Sequence, residues 1–247
     1  MNGYGRGILG LPPVVKNIIM INVLMILAYY AANTVFSVDL NSLLGLYFPK
    51  SEMFKPLQIL THMFMHANFW HIFFNMYALF IFGPILENVW GPKRFFIFYM
   101  VCGIGAAFTH ESVIFLQYNH LVQSLSPENV QAVITEGTAY FHQGKVFTDP
   151  GMQSLQILLN TPTVGASGAI FGVLLAFGVL FPNTQLMLLL PPIPIKAKYL
   201  VAGYGALELY LAVTQPGSNI AHAAHLGGML FGYILIRYWR KTTNTLY

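Results

Sequence analysis

Apolar positions along the chain gather into six blocks, at about residues 14–36, 69–87, 95–116, 165–181, 197–213 and 221–239, parted by polar or proline-bearing breaks. An α-helix rising ~1.5 Å per residue needs roughly 20 such residues to cross a hydrocarbon core of ~30 Å. The pattern therefore predicts an all-α polytopic membrane protein with a six-helix transmembrane bundle. Residues 37–68 mix Asp39, Lys50, Glu52 and Lys55 with Leu, Phe and Met. That stretch is too polar to span and too apolar to lie free in water, so it reads as a partly embedded first loop. Residues 117–160 form a long polar insertion, expected on the extracytoplasmic side. Within it, Ser126-Pro127-Glu128 and Asp149-Pro150 each place a capping side chain before a proline at the first helical position, which predicts two helix starts. Gly91-Pro92-Lys93-Arg94 makes a short turn, and Pro191-Pro192-Ile193-Pro194 breaks the chain ahead of span five. The Gly/Pro-rich residues 1–13 are expected on the membrane face, and Glu87 beside Trp90-Gly91 resembles a structural cap at the inner face.

Composition agrees with the pattern. Of 247 residues, 56% are hydrophobic and only 8% charged, with a mean hydropathy of +0.60. Soluble domains carry about 25% charged residues. The first apolar block is too long for a signal-peptide core and lacks a cleavage site, so it reads as a retained anchor. Without an internal repeat, a transporter built on inverted halves has no support. The lone Cys102 lies in an apolar run, which removes disulfides from the picture.

Twelve Lys and Arg against eight Asp and Glu give a formal charge of +4. Its placement matters more than its size. With both termini cytoplasmic, Arg6, Lys16, Lys93, Arg94, Lys196, Lys198, Arg237, Arg240 and Lys241 lie inside, and only Lys50, Lys55 and Lys145 outside. The positive-inside bias favours that orientation, and the compact six-span form suits a bacterial inner membrane. No basic run exists and the aromatics sit in apolar blocks, so nucleic acid is excluded as a partner; the lipid bilayer is the expected surrounding.

In this orientation spans two, four and six all run from outside to inside. Their first turns share the outer half of the membrane, and they carry His71 and Asn75, Ser167, and His222 and His225. Polar groups at that depth are costly and are usually retained for function. Span four, from Gly165 to Phe181, is 17 residues, or about 25 Å. Its start is thus sunk beneath the outer surface, and the loop entering it must be buried in protein or lined by water. Gly168, Gly172 and Ala176 on span four, with His225, Gly228 and Gly232 on span six, form small-residue faces that let two helices approach closely.

Such an approach brings the Ser167 hydroxyl within reach of an imidazole. Serine is a poor nucleophile until a base takes its proton, and histidine is the usual base near neutral pH. His222 and His225 share one face a turn apart, and spacing alone does not separate them. A triad needs a carboxylate. Asp39 and Asp149 lie in loops, and Glu208, in span five nearer its outer end, is a remote candidate, so a Ser–His dyad is the economical arrangement. Ser167's own backbone N–H and the side chains of His71 and Asn75, four apart on one helical face, can meet a developing oxyanion. Because only neutral imidazole accepts the serine proton, any reaction that uses this pair is expected to fall in acid.

The Gly165-Ala166-Ser167-Gly168-Ala169 motif, His71-Ile72-Phe73-Phe74-Asn75 and Ala221-His222-Ala223-Ala224-His225-Leu226-Gly227-Gly228-Met229-Leu230-Phe231-Gly232 together resemble the three signatures of the rhomboid intramembrane serine proteases. The resemblance covers all six spans. It implies Ser167 as nucleophile, His225 as base, and His71 and Asn75 lining the oxyanion hole, with Gly165, Gly168 and His222 in supporting places. It implies transmembrane protein substrates cut within or beside a spanning segment, small residues at the cut, helix-weakening residues nearby, and no cofactor. Residues 37–68 match the family's embedded first loop; the insertion at 117–160 is longer than in a minimal member.

Competing readings are a catalytically inactive rhomboid-like binder of membrane proteins, and a metal or ion carrier using His62, His66, His71, His222 and His225. The binder is expected to lack the serine or the histidine. The carrier is expected to need acidic residues within spans, which usually accompany cation passage. His110-Glu111 continues as Ser112-Val113-Ile114, with no second histidine for a zinc-protease motif. No metal is expected.

Overall fold

The computed structural model describes residues 10–187, 192–215 and 221–242. The expected membrane-face stretch before residue 10, Pro191 and the tail beyond residue 242 lie outside the described residues. Helices occupy each of the six apolar blocks: α1 (Pro13–Phe36), α4 (Phe69–Trp90), α5 (Pro92–Ser124), α8 (Ser167–Leu180), α9 (Ala197–Thr214) and α10 (His222–Thr242). By length and composition α1, α4 and α5 are each able to cross a membrane, and α8 is a shorter apolar helix. Between α1 and α4 the chain forms α2 (Leu40–Leu44), α3 (Gln58–Thr61) and a single 3-10 turn over His62–Phe64. The architecture is all-α and polytopic.

Helix α8 is the hub, in contact with α4, α5, α9 and α10, while α10 lies along both α5 and α8. The core between them draws Leu79 and Leu86 from α4, Phe95, Phe98 and Cys102 from α5, Ala169, Val173 and Ala176 from α8, and Ile236 from α10. Small residues decide how close the helices come. A Cβ on Gly228 would run into the backbone carbonyl of Gly168, so α8 and α10 touch main chain to main chain at that point. Large apolar side chains such as Leu24, Leu27, Trp70, Phe74 and Phe108 face outward, where a bilayer would solvate them.

Glu87, read from the sequence as a structural cap, caps the first turn of α1. It is buried, and its two oxygens accept the N–H groups of Val14 at 2.9 Å and Val15 at 2.8 Å. It thereby satisfies orphan donors in the first turn of α1, where Pro12 and Pro13 offer no capping side chain.

Helix α5 runs eight residues past the expected end of span three, from Leu116 to Ser124. The extension packs against protein. Tyr118 is buried against Phe48, with ring centroids 5.3 Å apart, in a second apolar cluster with Val133, Leu155 and Leu159. That cluster also seats α6 (Pro127–His142) and α7 (Pro150–Asn160). Ser126 Oγ accepts from Asn129 N at 3.3 Å and Asp149 Oδ1 from Met152 N at 2.8 Å, so both helices start at the capping signals. Ahead of α9, the two strands β1 (Gln185–Met187) and β2 (Pro194–Lys196) pair antiparallel, where the sequence suggested only a proline break.

Candidate active site

Ser167 is the first residue of α8 and is half-buried. The loop that delivers it is pinned from three sides. Leu46 and Thr163 exchange backbone hydrogen bonds of 2.9 and 2.8 Å, tying the first loop to the serine loop. Thr163 Oγ1 lies 2.9 Å from His110 Nε2 on α5. Gly165 N–H donates to the His62 carbonyl at 2.9 Å. Gly165 itself has φ +136°, a conformation open to glycine.

His225, in the first turn of α10, has Nε2 2.9 Å from Ser167 Oγ. Its ring is stacked on Phe171, one turn along α8 from the serine, at 4.2 Å between centroids and 8° between planes. The close contact of Gly228 with Gly168 one turn deeper is what permits this distance. His71 stands on the other side of the serine loop. A Cβ on Gly165 would meet His71 Cε1 and Nε2 at 2.8 Å and Ser167 Oγ at 3.6 Å, so imidazole and hydroxyl border the same glycine. Asn68 caps α4 by accepting His71 N–H at 2.9 Å, and Ala67 N–H makes a long 3.5 Å contact with His71 Nδ1. With Nδ1 acting as acceptor, the ring proton belongs on Nε2, the nitrogen nearer the serine loop. One turn further along α4, Asn75 is buried and its amide nitrogen has no hydrogen-bond partner.

The first turns of α4, α8 and α10 therefore converge as their shared level in the sequence suggested. A fourth element joins them. Glu208 on α9 is buried, with Oε2 2.6 Å from His222 Nδ1 and 3.0 Å from His225 Nδ1. The sequence reading ranked this residue as remote, and the structure corrects that. The signal available was a carboxylate inside an apolar block, which requires a partner. Its partner was hidden because sequence alone gives no rotation of span five against span six. The correction also gives His222 a definite contact, while its Nε2 is buried without one.

Gly168 packs against Ala106 of α5 as well as the α10 backbone. Beside Ser167 a small cavity of about 20 Å³ is lined by His62, His110, Thr163 and Gly165. That is room for one water with polar partners. His62 and His66, in the first loop, are buried. Burial holds them neutral, pushing His62 down to about 4 and His66 down to about 3. His62 Nδ1 lies 3.0 Å from the Gln58 carbonyl, and His66 packs edge-on to His71 at 5.0 Å. Among the described residues, the group of three metal-type side chains with ligating atoms within 4.8 Å of one another is Glu208, His222 and His225; His62 and His66 join no such group.

A model of the Rhomboid domain matches residues 54–242. Over 195 residues the chain is 29% identical to Rhomboid protein 1, mitochondrial, of Saccharomyces cerevisiae, covering 79% of this chain and 45% of that protein. It is 27% identical over 195 residues to Rhomboid protease AarA of Providencia stuartii, covering 74% and 57%. It is 27% identical over 199 residues to the mitochondrial Presenilin-associated rhomboid-like protein of Homo sapiens, covering 78% and 41%. The chain thus spans about half the length of these curated relatives.

Proposed function

This chain belongs to the rhomboid family, and on that premise we propose that it is an intramembrane serine endopeptidase, cutting membrane-anchored proteins in or beside a transmembrane segment. The observation that carries the reading is the 2.9 Å separation of His225 Nε2 and Ser167 Oγ. In the proposed reaction Ser167 Oγ attacks the scissile carbonyl carbon as His225 Nε2 takes the hydroxyl proton. The carbonyl oxygen becomes an oxyanion. The Ser167 N–H at the start of α8, His71 Nε2–H and the unpartnered Asn75 amide are the donors available to it. On collapse the C–N bond breaks, the leaving amine receives the proton from His225, and an acyl-Ser167 ester remains. Water, for which the cavity lined by His62, His110 and Thr163 provides a place, then repeats the sequence and frees the serine.

The excess of basic residues on the side of the termini supports a cytoplasmic location for both ends, with the site toward the extracytoplasmic face. Similarity to proteins named as rhomboid proteases supports the activity class. The test is purified protein in proteoliposomes with reporters carrying transmembrane segments, compared with Ser167→Ala. Cleavage by wild type alone, and labelling by a serine-reactive fluorophosphonate lost in Ser167→Ala, are expected. Reporters that survive wild type as well as Ser167→Ala, with no labelling, would turn the reading to a non-catalytic membrane-protein binder.

A further inference from the structure

We propose that Glu208 is a positioning residue for His225, its carboxylate holding the imidazole in the base-competent tautomer and countering the charge it gains as it takes the Ser167 proton. This rests on the protease reading of the same site.

The first support is the cost of placing Glu208 where it is. Helix α9 lies at the edge of the bundle and buries only Ala197, Val201 and Glu208. A carboxylate turned into the protein from such a helix is retained only with partners that offset its desolvation. Its partners are the two imidazoles of α10, at 2.6 Å and 3.0 Å.

The second support is the geometry of His225. Phe171 fixes the plane of its ring, which leaves two in-plane nitrogens. Nε2 lies 2.9 Å from the serine hydroxyl, and Nδ1 lies 3.0 Å from Glu208 Oε2. A carboxylate can only accept, so the ring proton is drawn to Nδ1 and the lone pair is left on Nε2 for the serine proton. The opposite tautomer would point N–H at Ser167 and could not act as base. Of the two contacts, the one to His222 is the shorter, and Nδ1 of His225 has no aligned hydrogen-bond partner despite the 3.0 Å approach. The carboxylate therefore lies closer to His222 than to His225. Proton transfer from Ser167 puts a positive charge on His225 and strengthens its attraction for Oε2. The interaction thus grows toward the transition state, so its loss falls on kcat rather than KM. Glu208 takes no proton at any step.

The spacing also favours a proton-bonded group over a metal-bonded one. Two ligands on one tetrahedral zinc at ~2.0–2.1 Å stand about 3.3 Å apart, farther than either contact of Glu208 Oε2.

The experiment uses the full chain in proteoliposomes, comparing wild type, Glu208→Gln, Glu208→Asp and Ser167→Ala on one transmembrane reporter, with thermal unfolding of each. Glu208→Gln keeps the shape and removes the charge. It is expected to lower kcat roughly 10–100-fold with KM changed by less than about twofold, and Glu208→Asp to restore part of the loss. In ¹⁵N-histidine spectra, assigned against His225→Gln, wild-type His225 is expected as the Nδ1–H tautomer, with Nε2–H gaining population in Glu208→Gln. Wild-type kcat in folded Glu208→Gln, or Nε2–H as the wild-type tautomer, overturns the proposal and leaves the protease reading intact. A kcat loss that merely tracks the unfolded fraction also overturns it. Wild type that cleaves no faster than Ser167→Ala overturns both.

Discussion

Glycines and polar side chains occur in both the α8–α10 centre and the α6–α7 hairpin, yet they work differently in the two regions. In the centre, Gly228 lies against the backbone of Gly168 with no room for a methyl group. In the hairpin, a Cβ on Gly137 would make ordinary contacts, and one on Gly144 would meet nothing within 4 Å. Polar groups divide the same way. Gln156 of α7 is buried and fully engaged: its Oε1 accepts from Phe147 N at 3.1 Å, and its Nε2 donates to the carbonyls of Gly137 at 2.8 Å and Lys145 at 3.2 Å. In the centre, Asn75 Nδ2, His222 Nε2 and His225 Nδ1 are buried without aligned partners. Buried polar atoms are nearly always satisfied, and exceptions concentrate where chemistry is done. The hairpin reads as structure resolved to completion, the centre as structure held open for a substrate.

The sharpest way to break this contrast is Gly228→Ala. The added methyl meets main chain, which cannot move aside as a flexible side chain would, so α8 and α10 must separate. Catalytic geometry is sensitive to shifts of about 1 Å. Cleavage is expected to fall to the Ser167→Ala floor, at least ~10³-fold, while Gly137→Ala in the hairpin leaves kcat within about twofold. Equal effects of the two substitutions would erase the distinction.

Next in size is Asn75→Ala. Removing one oxyanion donor typically costs ~10²–10³ in kcat, and an amide nitrogen that makes no hydrogen bond in the fold can be lost with little change in Tm. Gln156→Leu should do the reverse. It strips partners from three backbone groups and lowers hairpin stability by about 1–3 kcal/mol or more, with kcat retained. Steady-state kinetics beside thermal unfolding separates the two patterns; an Asn75→Ala variant that loses Tm but not kcat would make it a structural residue.

The same contrast governs what could be read from the sequence. The helix starts at Pro127 and Pro150 were legible because a cap is a local signal, confined to four residues. The convergence of Ser167, His71 and His225 was legible because helix rise fixes depth once the spans are set. Glu208 was not, because depth without rotation leaves a residue free to face lipid or protein. The extension of α5 past Leu116 was hidden because its stabilisation comes from Phe48 and Leu155, distant in sequence. The β1–β2 pair was hidden because a proline break marks where a helix stops and not which of its flanking residues pair.

Acid offers a smaller, distributed test. His62 and His66 of the first loop are held neutral by burial, at about 4 and about 3 in place of 6.5. The unfolded chain binds protons below its ordinary value of ~6.5 while the native state does not, so stability is full above that pH and is lost as pH falls toward 4. Each histidine is expected to contribute roughly 1–3 kcal/mol of this loss. His62→Gln should flatten the Tm against pH curve between pH 6.5 and 4. The hairpin carries no such buried histidine, so a curve unchanged by His62→Gln and His66→Gln together would move the acid sensitivity out of the first loop.

Smallest is Asp149→Ala. Asp149 Oδ1 accepts the Met152 N–H at 2.8 Å at the start of α7 and is exposed. Water can replace part of that bond, and loss of an N-cap costs about 1 kcal/mol. Helix α7 leads directly into the loop that presents Ser167, yet that loop is also fastened by Leu46, His62 and His110 from other elements. A frayed first turn of α7 therefore should not reach the serine. The expectation is a lowered Tm with kcat and KM unchanged. A fall in kcat would mean that the hairpin sets the position of Ser167 through α7, and the two regions would then be one mechanical unit.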